Sequence, residues 1–257
     1  MKKKNYLEFL FLIILGALTT LSLPPYNYLF INFITLGFFF IYVYQKKKSA
    51  NRKYAFSYGW SYGFGYFLTS LYWIPISLTF DENFHFLIPI ALILIPSFLA
   101  VFYGLVTYCF FLIKIKKPVS NLFLFSLLFG LTEFLRGNVL TGFPWNLIAY
   151  SFSENLEILQ IISFIGTYSF NVLCISFFIC PVIFILRENK KEILICFFFL
   201  LSPIVLYSLG SSKIKSFETA KIVNNDYIVR AVSSKIDLDR FYGNSTTEEV
   251  LRELIDI

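Results

Sequence analysis

The sequence predicts an all-α polytopic membrane protein with seven transmembrane helices, followed by a short C-terminal α/β fragment. Three observations carry that prediction: the composition, the spacing of the apolar runs, and where the basic residues fall between them. Of 257 residues, 57% are hydrophobic and only 15% charged, and the mean hydropathy is +0.69. A soluble globular domain carries about a quarter charged residues and fewer apolar ones. Aromatic residues reach 21%, with 33 phenylalanines, more than a soluble core needs.

The apolar runs cover about residues 6–23, 28–44, 54–78, 86–113, 119–135, 158–186 and 193–209. A bilayer core takes about 20 apolar residues per helix, and each run lies near that length or slightly above it. The first run has no A-x-A pattern and leads straight into Pro24-Pro25, so it reads as a span rather than a cleaved signal peptide. The third run carries two rows of small residues, Ala55, Gly59 and Gly63 on one and Ser57, Ser61 and Gly65 on the other. Such rows let helix backbones approach, and two of them predict a helix packed on more than one side. Trp60 and Trp73 stand toward opposite ends of this run, at expected headgroup levels. Pro75, Pro89, Pro96, Pro181 and Pro203 predict kinks or helix ends.

The basic residues set the topology. Lys2, Lys3 and Lys4 open the chain; Lys46, Lys47, Lys48, Arg52 and Lys53 follow the second run. Lys114, Lys116 and Lys117 follow the fourth, and Arg187, Lys190 and Lys191 the sixth. Together they are fourteen of the 22 Lys and Arg residues. If every run crosses, all fourteen lie on one side. The opposite connections, at Pro24-Pro25, Thr79–His85 and Gly137–Glu157, hold no Lys or Arg. The positive-inside rule then places the N-terminus in the cytoplasm and everything after Leu209 outside. The net charge of +6 is thereby a topological signal and not a nucleic-acid footprint. A single histidine, His85, excludes a multi-His metal site. The cysteines at 109, 174, 180 and 196 lie in apolar runs without CxxC spacing, as small buried hydrophobes do. No metal or cofactor is expected.

From Ser211 the composition turns polar. Residues 227–236, YIVRAVSSKI, read as a strand, Gly243-Asn244 as a loop, and TTEEVLRELIDI as a capped helix. The division expected is a membrane domain over residues 1–210 and a periplasmic α/β start over residues 211–257. One strand and one helix cannot build a core of their own, so the chain is expected to be truncated.

The chain is organised around Leu131–Tyr150, LTEFLRGNVLTGFPWNLIAY. It carries the one Glu–Arg pair at helical spacing in the hydrophobic part, and then breaks into Gly142-Phe143-Pro144-Trp145. Inside a bilayer Glu133 and Arg136 are costly unless they find a partner or a wet cavity. Three residues apart, they share a helix face and can satisfy each other. Gly142 and Pro144 cannot continue the helix. Irregular backbone at membrane depth survives only under protein or against a water-filled cavity. The stretch is therefore expected to line a site facing outward.

E-x-L-R-G followed by T-G-F-P-W, here Glu133–Gly137 and Thr141–Trp145, resembles apolipoprotein N-acyltransferase. SLPP at Ser22–Pro25, LTSLYWI at Leu68–Ile74 and LQIISFIGTYSFNVL at Leu159–Leu173 are similar too. The resemblance implies a bacterial inner-membrane domain followed by an outward-facing nitrilase-like domain. It implies transfer of an acyl chain from a phospholipid, by way of a cysteine thiol, to the α-amine of a diacylglyceryl-cysteine. The partners implied are a phospholipid acyl donor, a lipoprotein acceptor, and a nitrilase-like domain that could be separately encoded. The family's Glu–Lys–Cys triad lies beyond the first strand and helix of that domain, so no catalytic residue is placed on this chain. As given, it is expected to be inactive alone. The implied lipid-cavity residues are Glu133, Arg136, Phe143, Trp145, Trp73 and Tyr242, the last standing about where the family has a gating Trp. A non-catalytic lipid-binding module and one half of a split enzyme remain the alternatives. A transporter would call for inverted repeats or charges on several spans.

Overall fold

The computed structural model describes residues 3–49, 52–139, 142–220 and the isolated positions Glu248 and Arg252. Helices and turns make up the described residues, with no strand among them. The expected strand at 227–236 and Tyr242 lie outside them.

Helix α1 (Lys3–Thr19) ends in a 3-10 turn over Thr20–Ser22, and the chain passes Pro24-Pro25 into α2 (Ile31–Lys48). Helix α3 (Ala55–Ser70) is followed by 3-10 turns over Ile74–Phe80 and Glu82–Leu87. Then come α4 (Ile88–Leu112) and α5 (Pro118–Asn138). Short α6 (Leu156–Leu159) leads to α7 (Ile162–Ile179), short α8 (Ile183–Leu186) and the long α9 (Lys191–Thr219).

The expected third span does not run unbroken from Tyr54 to Leu78. Its helix stops at Ser70, and Pro75, which has no N–H to donate, sits in the 3-10 turn that follows. The expected sixth span is likewise interrupted. Gly166 takes φ 76 inside α7, and Pro181 sits in a 3-10 turn between α7 and α8. The seventh runs past its expected end at Leu209 to Thr219, so the polar composition beginning at Ser211 starts inside a helix.

Among the described residues, four helical segments are long and apolar enough to cross a membrane: Glu82–Leu112, Pro118–Asn138, Ile162–Leu186 and Lys191–Thr219. This is a polytopic helical membrane protein. The three N-terminal helices are shorter or end in charge. Sixteen residues in α3 give about 24 Å of helix against a hydrocarbon core of about 30 Å.

Packing around α3 follows its two rows of small residues. A Cβ at Gly59 would strike the Tyr103 carbonyl and the Thr107 hydroxyl of α4, and one at Gly65 would strike the Ile13 carbonyl of α1. Backbones this close are what small residues make possible where lipid removes the hydrophobic drive between helices. The core is aromatic. Phe39 of α2 stacks on Tyr62 of α3 at 4.0 Å between centroids, and Tyr103 packs edge-on against Phe129 of α5 at 4.8 Å. The Trp60 indole donates to the Ser97 carbonyl of α4 at 3.0 Å.

The basic connections gather at one end. Lys46 pairs with Glu8 of α1 at 2.8 Å, and Lys47 donates to Asn121 of α5 at 2.7 Å. Lys47, Lys48, Arg52, Lys114 and Lys116 line one cavity with Glu188 from the turn before α9. Pro24, Pro25, Trp73 and Trp145 meet around a different cavity.

Candidate functional site

Glu133 and Arg136 lie in the last turns of α5, where spacing by three puts them on one face, and each is only 1% exposed. Arg136 Nε donates to Glu133 Oε2 at 2.7 Å, and Nη2 donates to the same oxygen. The guanidinium reaches further along the chain as well. Nη1 donates to the Phe143 carbonyl at 2.6 Å and Nη2 to the Trp145 carbonyl at 2.8 Å. It also faces the rings of Phe67 and Phe143, 5.2 and 5.9 Å from their centroids. A planar fork with several donors suits this task, because one guanidinium can hold a carboxylate and two carbonyls in fixed geometry.

The bonded carbonyls belong to the turn that α5 cannot continue. Gly142 has φ 77, a conformation that costs a Cβ-bearing residue, and its N–H donates to the Val139 carbonyl at 3.0 Å. The Phe143 N–H closes back on the Arg136 carbonyl at 2.9 Å, and Asn146 also takes positive φ, 58°. Carbonyls that Pro144 and the loop leave without helix partners are thus satisfied by a buried cation, as membrane depth demands.

The turn is the wall between two cavities. One, of about 420 Å³, is lined by Arg136, Gly142 and Phe143 with Ile74 and the α4 residues Leu94, Phe98 and Phe102. The other, of about 570 Å³, is lined by Trp145, Asn146 and Tyr150 with Trp73, Pro24 and Tyr26. Trp145 is 58% exposed and Trp73 48% exposed. Four of the expected residues are therefore split in pairs: Arg136 with Phe143 on one side, Trp73 with Trp145 on the other. Glu133 stands behind the wall and braces Arg136.

Three contributors were not anticipated from sequence. Tyr66 of α3 donates its hydroxyl to the Asn146 carbonyl at 2.7 Å, which ties the turn to a second helix. Asn171 of α7 accepts the Ala149 N–H at 2.9 Å. Tyr150 donates to the Pro144 carbonyl at 3.3 Å, and burial pushes its hydroxyl up from the ordinary value, so it stays a neutral donor. The sequence signal for Tyr66 was its position four residues after Tyr62 on the buried side of α3. Among the described residues, no three His, Cys, Asp or Glu side chains come together as metal ligands.

A buried ion pair braces this turn, and the turn stands between two cavities lined by aromatic side chains in a helical membrane protein. The sequence model of the "Apolipoprotein N-acyltransferase N-terminal domain" matches residues 15–180. The chain belongs to the apolipoprotein N-acyltransferase family. It is 37% identical over 178 residues to the apolipoprotein N-acyltransferase of Rhodopseudomonas palustris, covering 66% of this chain and 32% of that protein. It is 35% identical over 199 residues to that of Rickettsia prowazekii, covering 76% of this chain and 39% of that one. Against the Rickettsia bellii protein it is 32% identical over 210 residues, 80% of this chain and 40% of the relative. The chain thus spans roughly a third to two fifths of the length of these relatives.

Proposed function

We propose that this chain supplies the membrane domain for N-acylation of lipoproteins, holding the phospholipid whose acyl chain is transferred. Seven spans, an N-terminus in the cytoplasm and a location in the bacterial inner membrane complete this reading. Residues 1–210 form the membrane domain, and residues 211–257 begin a nitrilase-like domain facing the periplasm. The thiol chemistry belongs to that second domain. A thiolate attacks the phospholipid ester carbonyl, and the lysophospholipid leaves as an alcohol after taking a proton. The α-amine of diacylglyceryl-cysteine then attacks the thioester, loses its proton and restores the thiol. Splitting the transfer in this way is ordinary nucleophilic catalysis. The chain's own thiols at 174, 180 and 196 are buried among helices, away from any ester at the outer headgroup level.

The observation that carries the reading is the GFPW wall with an amphiphile-sized cavity on each face. Ligand pockets of about 300–1,000 Å³ with mostly apolar linings and a few fixed polar groups are the usual form of such sites. Arg136 is a positioning residue here, since its guanidinium holds Glu133 and two carbonyls of the wall. Phe143, Trp73 and Trp145 are the surfaces that meet lipid.

A phosphatidylethanolamine with a photoreactive acyl chain, incorporated into nanodiscs with the full chain, tests this. Label is expected on the peptides that contain Trp73 and Trp145, and it should fall several-fold in the Trp73→Ala/Trp145→Ala variant. Label spread evenly over the exposed face of α9, and unaffected by that double change, would show ordinary boundary lipid and overturn the assignment.

A further inference from the structure

At the end of the bundle away from the GFPW wall lies a cavity of about 450 Å³ that acyl transfer does not use. It is lined by Lys47, Lys48, Arg52, Lys114 and Lys116, with Tyr44, Phe111 and Ile115 as apolar walls. Glu188 is the one carboxylate among its described lining residues. We propose that this cavity binds the phosphate headgroup of an anionic phospholipid from the adjacent leaflet.

A run of lysines after a span is by itself a topological signal, and most such side chains simply reach into water. Here the three consecutive lysines are placed differently. Lys46 is held by Glu8, with its amine 2.8 Å from both carboxylate oxygens. Lys48 lies over the ring of Tyr44, 4.9 Å from the centroid. Lys47 turns inward, 3.8 Å above the ring of Phe110, and donates to Asn121 Oδ1 at 2.7 Å.

That last contact is built. Asn121 is fully buried, and its amide nitrogen donates to the Ile115 carbonyl at 3.0 Å and the Lys117 carbonyl at 2.8 Å. Those two bonds fix which way the amide points, so its oxygen is left facing Lys47. The same bonds hold the 113–117 connection in place, and with it Lys114 and Lys116 at the rim. Burial pulls the Lys47 amine down to about 8. Five cations around one concavity repel one another, and a bound phosphodiester relieves that repulsion while accepting several charge-assisted hydrogen bonds. Basic pockets between the ends of transmembrane helices are a recognised form of anionic-lipid site. Ile115, with the edges of the nearly buried Tyr44 and Phe111, gives the glycerol and first acyl carbons apolar contacts that free phosphate would leave unused.

The test is native mass spectrometry of the full chain released from nanodiscs, with phosphatidylglycerol against phosphatidylcholine, alongside inorganic phosphate as a free-anion probe. Phosphatidylglycerol is expected to be retained preferentially. Retention should drop about tenfold in Lys47→Gln/Lys114→Gln, since each lysine near an anionic surface contributes on the order of one tenfold step or less. The control variant Lys190→Gln/Lys191→Gln removes the same charge from the same end but outside the cavity, and should change retention less than about twofold. Circular dichroism on each variant separates lost binding from lost fold, and Lys116→Gln serves if Lys47→Gln misfolds. Equal retention of phosphatidylcholine, or an equal loss in the control variant, would overturn the proposal. Competition by inorganic phosphate at the lipid's own concentration would reassign the cavity to free anions. Because the readout is lipid retention, failure here leaves the acyl-transfer reading untouched.

Discussion

The two ends of the bundle handle charge in opposite ways. At the GFPW end a single cation, Arg136, is buried to 1% exposure, and its donors are spent on Glu133 and on the carbonyls of Phe143 and Trp145. At the other end five cations surround an open cavity with one carboxylate among them. Buried and satisfied, a charge builds shape: it fixes a turn that no helix could continue. Grouped around a concavity with one carboxylate among its described lining residues, mostly exposed charges build affinity for an anion instead. The same residue types thus produce a wall at one end and a receptor at the other.

The largest effect that sharpens this contrast is expected from Arg136→Leu. It leaves Glu133 as a buried unpaired carboxylate and orphans two carbonyls together, and losing one partner of a buried pair costs about 3–5 kcal/mol. Glu133→Gln should cost less, about 1–3 kcal/mol, because Arg136 keeps its bonds to Phe143 and Trp145. Melting of the detergent-solubilised protein checks the order. If Glu133→Gln proves the more damaging, the wall is not held by Arg136.

Gly142→Ala comes next. At φ 77 an L residue pays about 1–2 kcal/mol, and its Cβ would collide with the Gly137 carbonyl. Thermal stability should fall, and so should labelling of Trp145 by the photoreactive lipid. Normal labelling would mean that the turn's geometry does not shape the cavity.

The smallest effect belongs to the opposite end and depends on pH. The Lys47 amine is lowered from 10.5 to about 8 by burial. Between those two values the unfolded chain binds more protons than the folded one, so stability rises with pH across that window. Lys48, Arg52, Lys114, Lys116 and Glu188 face the same cavity. Delipidated protein should therefore melt slightly higher at pH 9.5 than at pH 7.5, and Lys47→Gln should remove that gain. Saturating phosphatidylglycerol should remove it too, by restoring the charged amine.

Much of this was legible in the sequence, and the losses have physical reasons. Hydropathy located every apolar run and proline marked the break around Pro75, but Gly166 was passed over, because a sum over side chains does not register a positive φ. The Glu133–Arg136 pair followed from spacing alone. Its onward bonds did not, since the acceptors at Phe143 and Trp145 are backbone carbonyls that every residue carries. Tyr66 escaped for the same reason, as its partner is the carbonyl of Asn146. Trp73 and Trp145, far apart in sequence, line one cavity that no spacing could reveal. Lys46 and Lys47 are adjacent and chemically identical, yet one faces Glu8 and the other Asn121. Only the packing of α1 and α5 on α2 separates them.

A double-mutant cycle on Glu133 and Arg136, read as melting temperature with and without phosphatidylethanolamine, bears most directly on the central claim that this pair is a brace for a lipid-facing wall. The account predicts that Glu133→Gln and Arg136→Leu are non-additive by more than about 0.5 kcal/mol. It also predicts that phosphatidylethanolamine stabilises Glu133→Gln as much as the unaltered protein, because the lipid meets the wall's aromatic rings and not the carboxylate. Additive effects, with lipid stabilisation lost in each single variant, would instead make each charge an independent headgroup ligand and contradict the account.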